Sequence, residues 1–335
     1  MRHAIPIRLL FGLAVLTLAS TRGLAEGDAE FRFARIINDN MVLQQEKPIV
    51  IWGWGPPGAT IEVTITQDPA VGEAAISAAA KAGTRKAPPV VVESPDHRVT
   101  VRYDEQNPPV IKTQTVEGRA DGSGRWEVAF DSARASFQPT WISARSKGSA
   151  IALENALVGE IWVCAGQSNM GWGNFNRKGR EAASADFPGL RYIAWEDSWY
   201  KPLDDVRKNI SWQECSPQTA QRFSAVPYLY GMFLHRYLKV PVGVVNVARG
   251  GTLGQTWCMR EELNRIDHVT IKTVLKDYDA ETARWDDPKE VERIMNEWQE
   301  SVKTAFKAGE FFMTFGAMGG AVQPQQHVQI FLNAV

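Results

Sequence analysis

Several features that mark large protein classes are scarce in this sequence. It has only three cysteines in 335 residues, and the spacing of Cys164, Cys215 and Cys258 fits no zinc-binding pattern. The formal net charge is −1, and no basic block is present that could follow a phosphate backbone. We therefore expect neither a metal site nor a nucleic-acid partner. Cys164 lies in an apolar run and is predicted to be buried, whereas Cys215 and Cys258 could pair in an oxidising compartment.

Apolar runs of membrane-spanning length are also missing. The longest candidate, residues 9–19, is too short to cross a bilayer comfortably. It follows two arginines and precedes the small-residue sequence Gly23-Leu24-Ala25, a pattern typical of a secretory signal over residues 1–25 that is cleaved before Glu26. An uncleaved anchor is the alternative. We expect a secreted or periplasmic protein with no membrane contact after cleavage.

What the sequence does contain is enough apolar material, 44% of residues, for two globular domains. Short strand patterns separated by turn residues predict a β-sandwich-like domain over residues 26–157. An insertion at about 68–120, with an alanine-rich piece at 74–82, is predicted to be an elaborated loop or an extra hairpin. The predicted strands are residues 48–54, 60–66, 90–92, 99–103, 126–130 and 141–144.

The pattern changes at Val158. A buried strand ends near Ser168, a helix follows, and a second buried strand occupies residues 241–247, which predicts a parallel sheet with a right-handed crossover. His235 is predicted to face away from the core on that helix. The helix is expected to bury the stripe Val226, Tyr230, Phe233 and Tyr237. A further packing helix is predicted at 287–309, begun by Asp287.

Ser168 is the first candidate for chemistry. Gly166 allows a sharp turn at the carboxyl end of the strand, where open α/β sheets place their ligands and where a serine hydroxyl can be presented to a cleft. A Gly-x-Ser triplet also occurs in ordinary turns. Met170 stands where an α/β-hydrolase elbow has its second glycine, which disfavours that fold.

The second strand delivers Gly250 and Gly251 to the same edge of the sheet. Paired glycines let backbone N–H groups approach a ligand closely, as an oxyanion hole requires, although a plain tight turn would use them too. Trp172 lies four residues after Ser168 and is expected to line the cleft, where its ring can stack on a sugar.

Three stretches carry a resemblance to a known family. The string Gly166-Gln167-Ser168-Asn169-Met170 resembles the first sequence block of the SGNH-type hydrolases and, more narrowly, of the sialate O-acetylesterase family of carbohydrate esterases. Residues 41–54 and 246–252 agree with the same family. The resemblance implies an α/β fold in which the β-sandwich-like domain is followed, over residues 158–335, by an incomplete SGNH-type, flavodoxin-like parallel-sheet domain.

The resemblance also implies a function. Ser168 would be the nucleophile, and its N–H together with that of Gly250 or Gly251 would form the oxyanion hole. Gln167 and Asn169 join Trp172 as candidate substrate-binding residues. The implied activity is a secreted O-acetylesterase acting on sialic acid or related O-acetylated sugars, with no cofactor. An esterase of acetylated xylan or another polysaccharide is the alternative, and the oligomeric state is left open.

One part of the family pattern is missing. Family members carry a Gly-Glu-Ser-Asn block and, near the C-terminus, an Asp-x-x-His that supplies the base, whereas none of the five histidines here stands in such a motif. We therefore expect the chain to be truncated before these blocks, with the catalytic His and Asp outside it. A non-catalytic sugar-binding or vestigial fragment is the alternative of another class. An open half-sheet would also expose apolar edges.

Overall fold

The computed structural model describes residues 30–84, 109–173, 184–195 and 203–308. The predicted signal segment at 1–25, the strands predicted at 90–92 and 99–103, and the residues after 308 lie outside the described residues. No described helix is long and apolar enough to cross a membrane.

Eleven strands and six helices position the functional residues within the described ranges. The strands are β1 (Arg32–Phe33), β2 (Val42–Gln44), β3 (Ile49–Trp54), β4 (Thr60–Thr66), β5 (Gln114–Arg119), β6 (Arg125–Phe130), β7 (Ser136–Ser146), β8 (Ser149–Gly166), β9 (Phe187–Trp195), β10 (Gln213–Cys215) and β11 (Val242–Ala248). The helices are α1 (Pro69–Lys81), α2 (Ser168–Gly171), α3 (Ala225–Leu238), α4 (Arg260–Asn264), α5 (Val269–Asp286) and α6 (Pro288–Ala308).

The first part of the chain forms two facing antiparallel sheets. The smaller has the order β1-β3-β6, and the larger contributes β5, β4, β7 and the first part of β8. In β4, Ile61, Val63 and Ile65 are buried while Thr60 and Glu62 are exposed, the alternation of a strand with one face on a core. Both sheets share that core, as the predicted sandwich requires. Its central members are Ile49, Ile51, Ile61, Val63, Ile65, Trp126, Val128, Ile142 and Ala144.

The alanine-rich piece of the insertion is helical, so its prediction as a loop or hairpin is wrong. The Asp68 side chain accepts a hydrogen bond from Ala70 N at 2.9 Å, and Pro69 occupies the first helical position. Alanines then favour the helix, and Gly72 allows close packing: a Cβ there would lie 2.3 Å from the Trp141 ring.

Strand β8 connects the two parts of the molecule. It pairs antiparallel with β7, parallel with β2 at residues 157–159, and parallel with β11 from Glu160 to Gly166. The predicted domain boundary at 157/158 falls inside this one strand. The division into two domains stays a prediction, and the structure adds that one continuous strand crosses it.

The second part of the large sheet has the order β10-β9-β11-β8, with β9, β11 and β8 parallel. The predicted α/β class and parallel sheet are confirmed. β9 was not predicted from the sequence. It lies on the far side of β11, so β8 and β9 flank the strand that carries the glycine pair.

Helix α3 packs on this sheet by the face opposite to the predicted one. Val226, Tyr230, Phe233 and Tyr237 are exposed, whereas Pro227, Tyr228, Gly231 and His235 are buried. Gly231 permits the contact, because a Cβ there would lie 2.4 Å from Val244 Cγ2. The close fit at Gly231, and not the apolar stripe, therefore decides which side of α3 faces the sheet.

His235 is fully buried, which corrects the prediction that it faces solvent. Its ring Nδ1 lies 2.7 Å from Val240 O, so the neutral tautomer that carries a proton on Nδ1 donates this bond. The ring also meets Phe137 and Phe187 edge to face. Burial lowers the pKa of His235, which keeps the ring neutral in the fold.

Apolar side chains are exposed where β8 passes beyond Gly159. Within the described residues β8 pairs there only with β11, and Trp162 and Val163 are 39% and 42% exposed on opposite faces of the sheet. The Trp162 ring lies 5.5 Å from that of Tyr230, so the exposed edge continues into the exposed face of α3. The expected apolar edge of an open half-sheet is present.

Helices α5 and α6 form a pair beyond the sheet. Asp287 starts α6 as predicted, because its side chain accepts a hydrogen bond from Lys289 N at 3.0 Å. On the exposed face Arg293 forms ion pairs with Glu290 and Glu297. The predicted packing helix is thus present over Pro288–Ala308 and lies against α5.

We expect Gly231→Ala to destabilise the protein by about 1–3 kcal/mol, because the added methyl overpacks the contact with Val244 and Leu190. Helix propensity alone would predict a gain of about 1 kcal/mol. Urea unfolding measures the difference. The control Phe233→Ala, on the exposed face of α3, should change the free energy of unfolding much less; equal effects would contradict the packing described here.

We expect His235 to make the fold sensitive to acid. Its pKa is lowered in the fold, so the unfolded chain binds the proton first as pH falls below about 6.5, and the stabilisation present above that pH is progressively lost. The free energy of unfolding of His235→Gln, measured in urea at pH 7 and pH 5.5, should therefore fall less than that of the unmodified protein. Phe233→Ala should keep the original pH dependence, and identical slopes for His235→Gln would refute the assignment.

Candidate active site

Ser168 is presented at the carboxyl end of the parallel sheet. β8 ends at Gly166, and the single turn α2 begins at Ser168. Gln167 O accepts hydrogen bonds from Met170 N at 2.9 Å and Gly171 N at 3.2 Å, which close the turn. The Ser168 side chain is exposed, as a nucleophile must be. The predicted placement is therefore found, while the catalytic role stays a prediction.

The loop after β11 meets this turn. Ala248 is the register partner of Gly166, and Arg249 N donates to Gly166 O at 2.9 Å. A Cβ built on Gly250 would lie 3.6 Å from Ser168 Cβ. Gly251, with φ of +78°, would direct its Cβ into open space. Of the two candidate oxyanion glycines, the structure brings Gly250 against Ser168.

A cleft opens beside Ser168 between the ends of β8, β11 and β9. The exposed ring of Trp172 lines it, as predicted, and faces a cleft that also includes the buried Trp195. Gln167 and Asn169 are exposed next to the cleft without lining it, and Gln167 Oε1 accepts a 3.3 Å bond from Ser168 Oγ. The lining residues are Ser168, Gly171, Trp172, Ala194, Trp195, Ser224, Asn246, Ala248 and Gly250.

Among the lining residues that were not predicted, two carry polar side chains, Ser224 and Asn246. Both are buried and join Tyr192 in a hydrogen-bonded cluster under the cleft. Burial raises the pKa of the Tyr192 phenol, so this hydroxyl stays protonated. The sequence signal that could have pointed to this cluster is Asn246, the one polar side chain in the buried run of β11.

The described residues lining the cleft include no histidine or carboxylate. Buried His235 binds Val240 O, and His268 Nδ1 accepts a bond from Thr270 N at 3.2 Å at the start of α5. The other three histidines lie outside the described residues. The described part of the site thus holds a candidate nucleophile and candidate oxyanion donors, and its described lining residues include no candidate base.

The three cysteines are free in the structure. Cys215 is buried and Cys258 exposed, so the disulfide considered between them is not formed. Burial raises the pKa of Cys215 to about 12 and also raises that of Cys164, which is buried as predicted. Across the described ranges, no group of three potential metal ligands converges.

The chain is similar to known carbohydrate esterases. The chain is 27% identical to the sialate O-acetylesterase of Mus musculus over 265 residues, which cover 76% of this chain and 42% of the mouse protein. Identity to the sialate O-acetylesterase of Homo sapiens is 28% over 263 residues, covering 74% and 42%. The chain therefore spans about two fifths of the length of these relatives. No protein-family model matches it.

A solved structure supports the fold. The chain matches a carbohydrate acetylesterase from Xanthomonas citri with a TM-score of 0.52 and 24% identity, over 70% of this chain and 43% of that one. The resemblance first drawn from residues 166–170 is confirmed over three quarters of the sequence. The chain is therefore similar to the sialate O-acetylesterases and has a mixed α/β fold shared with a carbohydrate acetylesterase.

Proposed function

We propose that the chain carries the nucleophile of a carbohydrate O-acetylesterase. The observation that carries the proposal is the meeting of Ser168 and Gly250, from the ends of two neighbouring parallel strands, at one cleft. A nucleophile next to a close-approaching glycine backbone is the arrangement that acyl transfer uses. The similarity to sialate O-acetylesterases supports the same chemistry.

In the proposed reaction Ser168 Oγ attacks the carbonyl carbon of a substrate acetyl group, and its proton passes to a base. The N–H groups of Ser168 and Gly250 donate to the oxyanion of the tetrahedral intermediate. The bond between the acetyl carbon and the sugar oxygen then breaks, and the sugar leaves with the proton. Water hydrolyses the acetyl-enzyme and restores Ser168.

The proposed substrate is an O-acetylated sugar, with O-acetylated sialic acid first. Trp172 supports a sugar, because its exposed ring at the cleft offers a flat apolar face for stacking. The similarity to relatives named sialate O-acetylesterase supports sialic acid as the sugar. Acetylated xylan is the competing substrate, and the comparison of acetate release from the two distinguishes them.

The base and the location belong to the proposal as well. The Asp-x-x-His of the family supplies the base in relatives, and we infer that here it comes from outside the described residues, since the cleft itself offers none among them. The signal-like residues 1–25 support secretion or periplasmic export.

Ser168→Ala tests the nucleophile. Removing the attacking oxygen should lower acetate release from O-acetylated sialic acid by at least about 1,000-fold while leaving the free energy of unfolding unchanged, because the side chain is exposed. Acetate is measured enzymatically, and the acetyl adduct on the Ser168 peptide is sought by mass spectrometry after rapid quenching. Ser301→Ala, an exposed serine on α6, is the matched control.

Each result decides between functions. Full activity in Ser168→Ala would exclude the proposed mechanism. Binding of acetylated sugar by the unmodified chain with no acetate release would exclude catalysis by this chain and favour the non-catalytic sugar-binding alternative.

Gly250→Ala and Gly251→Ala separate the roles of the two glycines. A methyl on Gly250 fits in ordinary contact with Ser168 but crowds the reacting atoms, so acetate release should fall about tenfold or more at unchanged stability. At Gly251 the positive φ opposes any side chain, so alanine should cost about 1 kcal/mol of stability. Thermal unfolding and acetate release measure both. If Gly251→Ala lowers acetate release and Gly250→Ala does not, the oxyanion donor is assigned to Gly251.

A further inference from the structure

A buried polar cluster lies directly under the turn that carries Ser168. Tyr192 of β9, Ser224 before α3 and Asn246 of β11 are each less than a tenth exposed. Asn246 Nδ2 donates to Tyr192 OH at 2.7 Å and to Ser224 Oγ at 2.9 Å, and Ser224 N donates to Tyr192 OH at 3.0 Å. Three separate elements are thereby joined by three hydrogen bonds.

The cluster reaches α2 through Ser224. Ser224 Oγ donates to Gly171 O at 3.0 Å, and the next amide, Ala225 N, donates to Trp172 O at 3.1 Å. The last carbonyls of a helix have no partner within it, and a four-residue turn gains little stability from its own bonds. The start of α3 therefore holds the end of α2 in place.

Donor and acceptor roles follow from this connection. A serine hydroxyl has one proton, and that of Ser224 goes to Gly171 O, so Ser224 Oγ must accept from Asn246. The side-chain amide of Asn246 supplies its two protons to Ser224 and Tyr192. Tyr192 is itself fixed, because its ring stacks on Phe223 at 4.1 Å between ring centres. One arrangement of the cluster thus determines the position of the Gly171 carbonyl.

The arrangement has a cost. Asn246 Oδ1 is buried and has no hydrogen-bond partner among the described residues. An unpaired buried acceptor costs roughly 1–3 kcal/mol, which an apolar residue in β11 would avoid.

We propose that Asn246 and Ser224, supported by Tyr192, are positioning residues that fix the Ser168–Gly171 turn. They set the direction of Ser168 Oγ and of its N–H relative to Gly250. This inference deepens the proposed function and rests on it for what the positioning serves. None of the three residues is placed in contact with the reacting atoms.

Ser224→Ala is the first test, because it removes the bond to Gly171 O and little volume. Native-state hydrogen exchange at the Met170 and Gly171 amides should accelerate about fivefold, as the loss of one ordinary hydrogen bond predicts, while amides of β9 and β11 stay protected. In acetate release, kcat should fall with KM nearly unchanged. Asn246→Ala should produce the same local change, and Ser224→Thr, which retains the hydroxyl, should restore slow exchange.

Ser136→Ala is the matched control. Ser136 is equally buried and its Oγ accepts a bond from Gln138 N at 3.1 Å, but it lies in the β7 segment of the sandwich. Its loss should lower global stability without changing exchange in α2. If Ser224→Ala only lowers global stability as Ser136→Ala does, with unchanged α2 exchange, the proposal is overturned.

The exchange measurement needs no turnover, so the two proposals can fail separately. Accelerated α2 exchange in a chain that releases no acetate would support the positioning cluster and contradict the proposed function. If Ser168→Ala loses acetate release while Ser224→Ala changes neither α2 exchange nor kcat, the proposed function is supported and the positioning role of the cluster is contradicted.

Discussion

The pairing of β8 with three different strands is the constraint on which the rest of the structure depends. Before Gly159 the strand completes the sandwich through β7, and beyond it the strand pairs with β11 and ends at the Ser168 turn. At the crossing point only glycine fits, because a Cβ on Gly159 would lie 2.0 Å from Pro241 O. The sandwich core therefore anchors the same backbone that presents Ser168, so a small turn at the surface is attached to the most buried part of the protein.

The sequence patterns were informative where burial follows a simple period. β4 alternates buried and exposed residues and was predicted with its observed bounds. β9 was missed because Pro188, Gly189 and a charged Arg191 interrupt its apolar residues. The buried guanidinium is compensated by Glu214 at 3.1 Å and by bonds to the carbonyls of Pro188, Asn40 and Asn155. The buried face of α3 was predicted wrongly for a related reason, since steric fit at Gly231 outweighed the apolar stripe. Both outcomes depend on tertiary partners that local pattern does not contain.

The candidate site likewise contains residues that a local motif identifies and residues that only folding brings together. Ser168 and the glycine pair stand in short local strings, so the sequence was enough to select them. Tyr192, Ser224 and Asn246 belong to three elements, and only folding brings their polar atoms within 3.0 Å of one another. A local motif can encode the group that reacts, whereas the groups that orient it are spread along the chain because orientation requires support from several directions.

The exposed apolar surface and the absence of a base from the described part of the cleft concern the same end of β8. On one side of Ser168, β11 supplies Gly250 and the cluster under the turn. On the other side, from Glu160 onward, no described strand pairs with β8, and Trp162 and Val163 are exposed there. A base must lie within hydrogen-bond reach of Ser168 Oγ. Among the described elements, β11, β9 and α3 occupy one flank of β8, so the exposed apolar edge on the other flank is where the proposed base is to be sought.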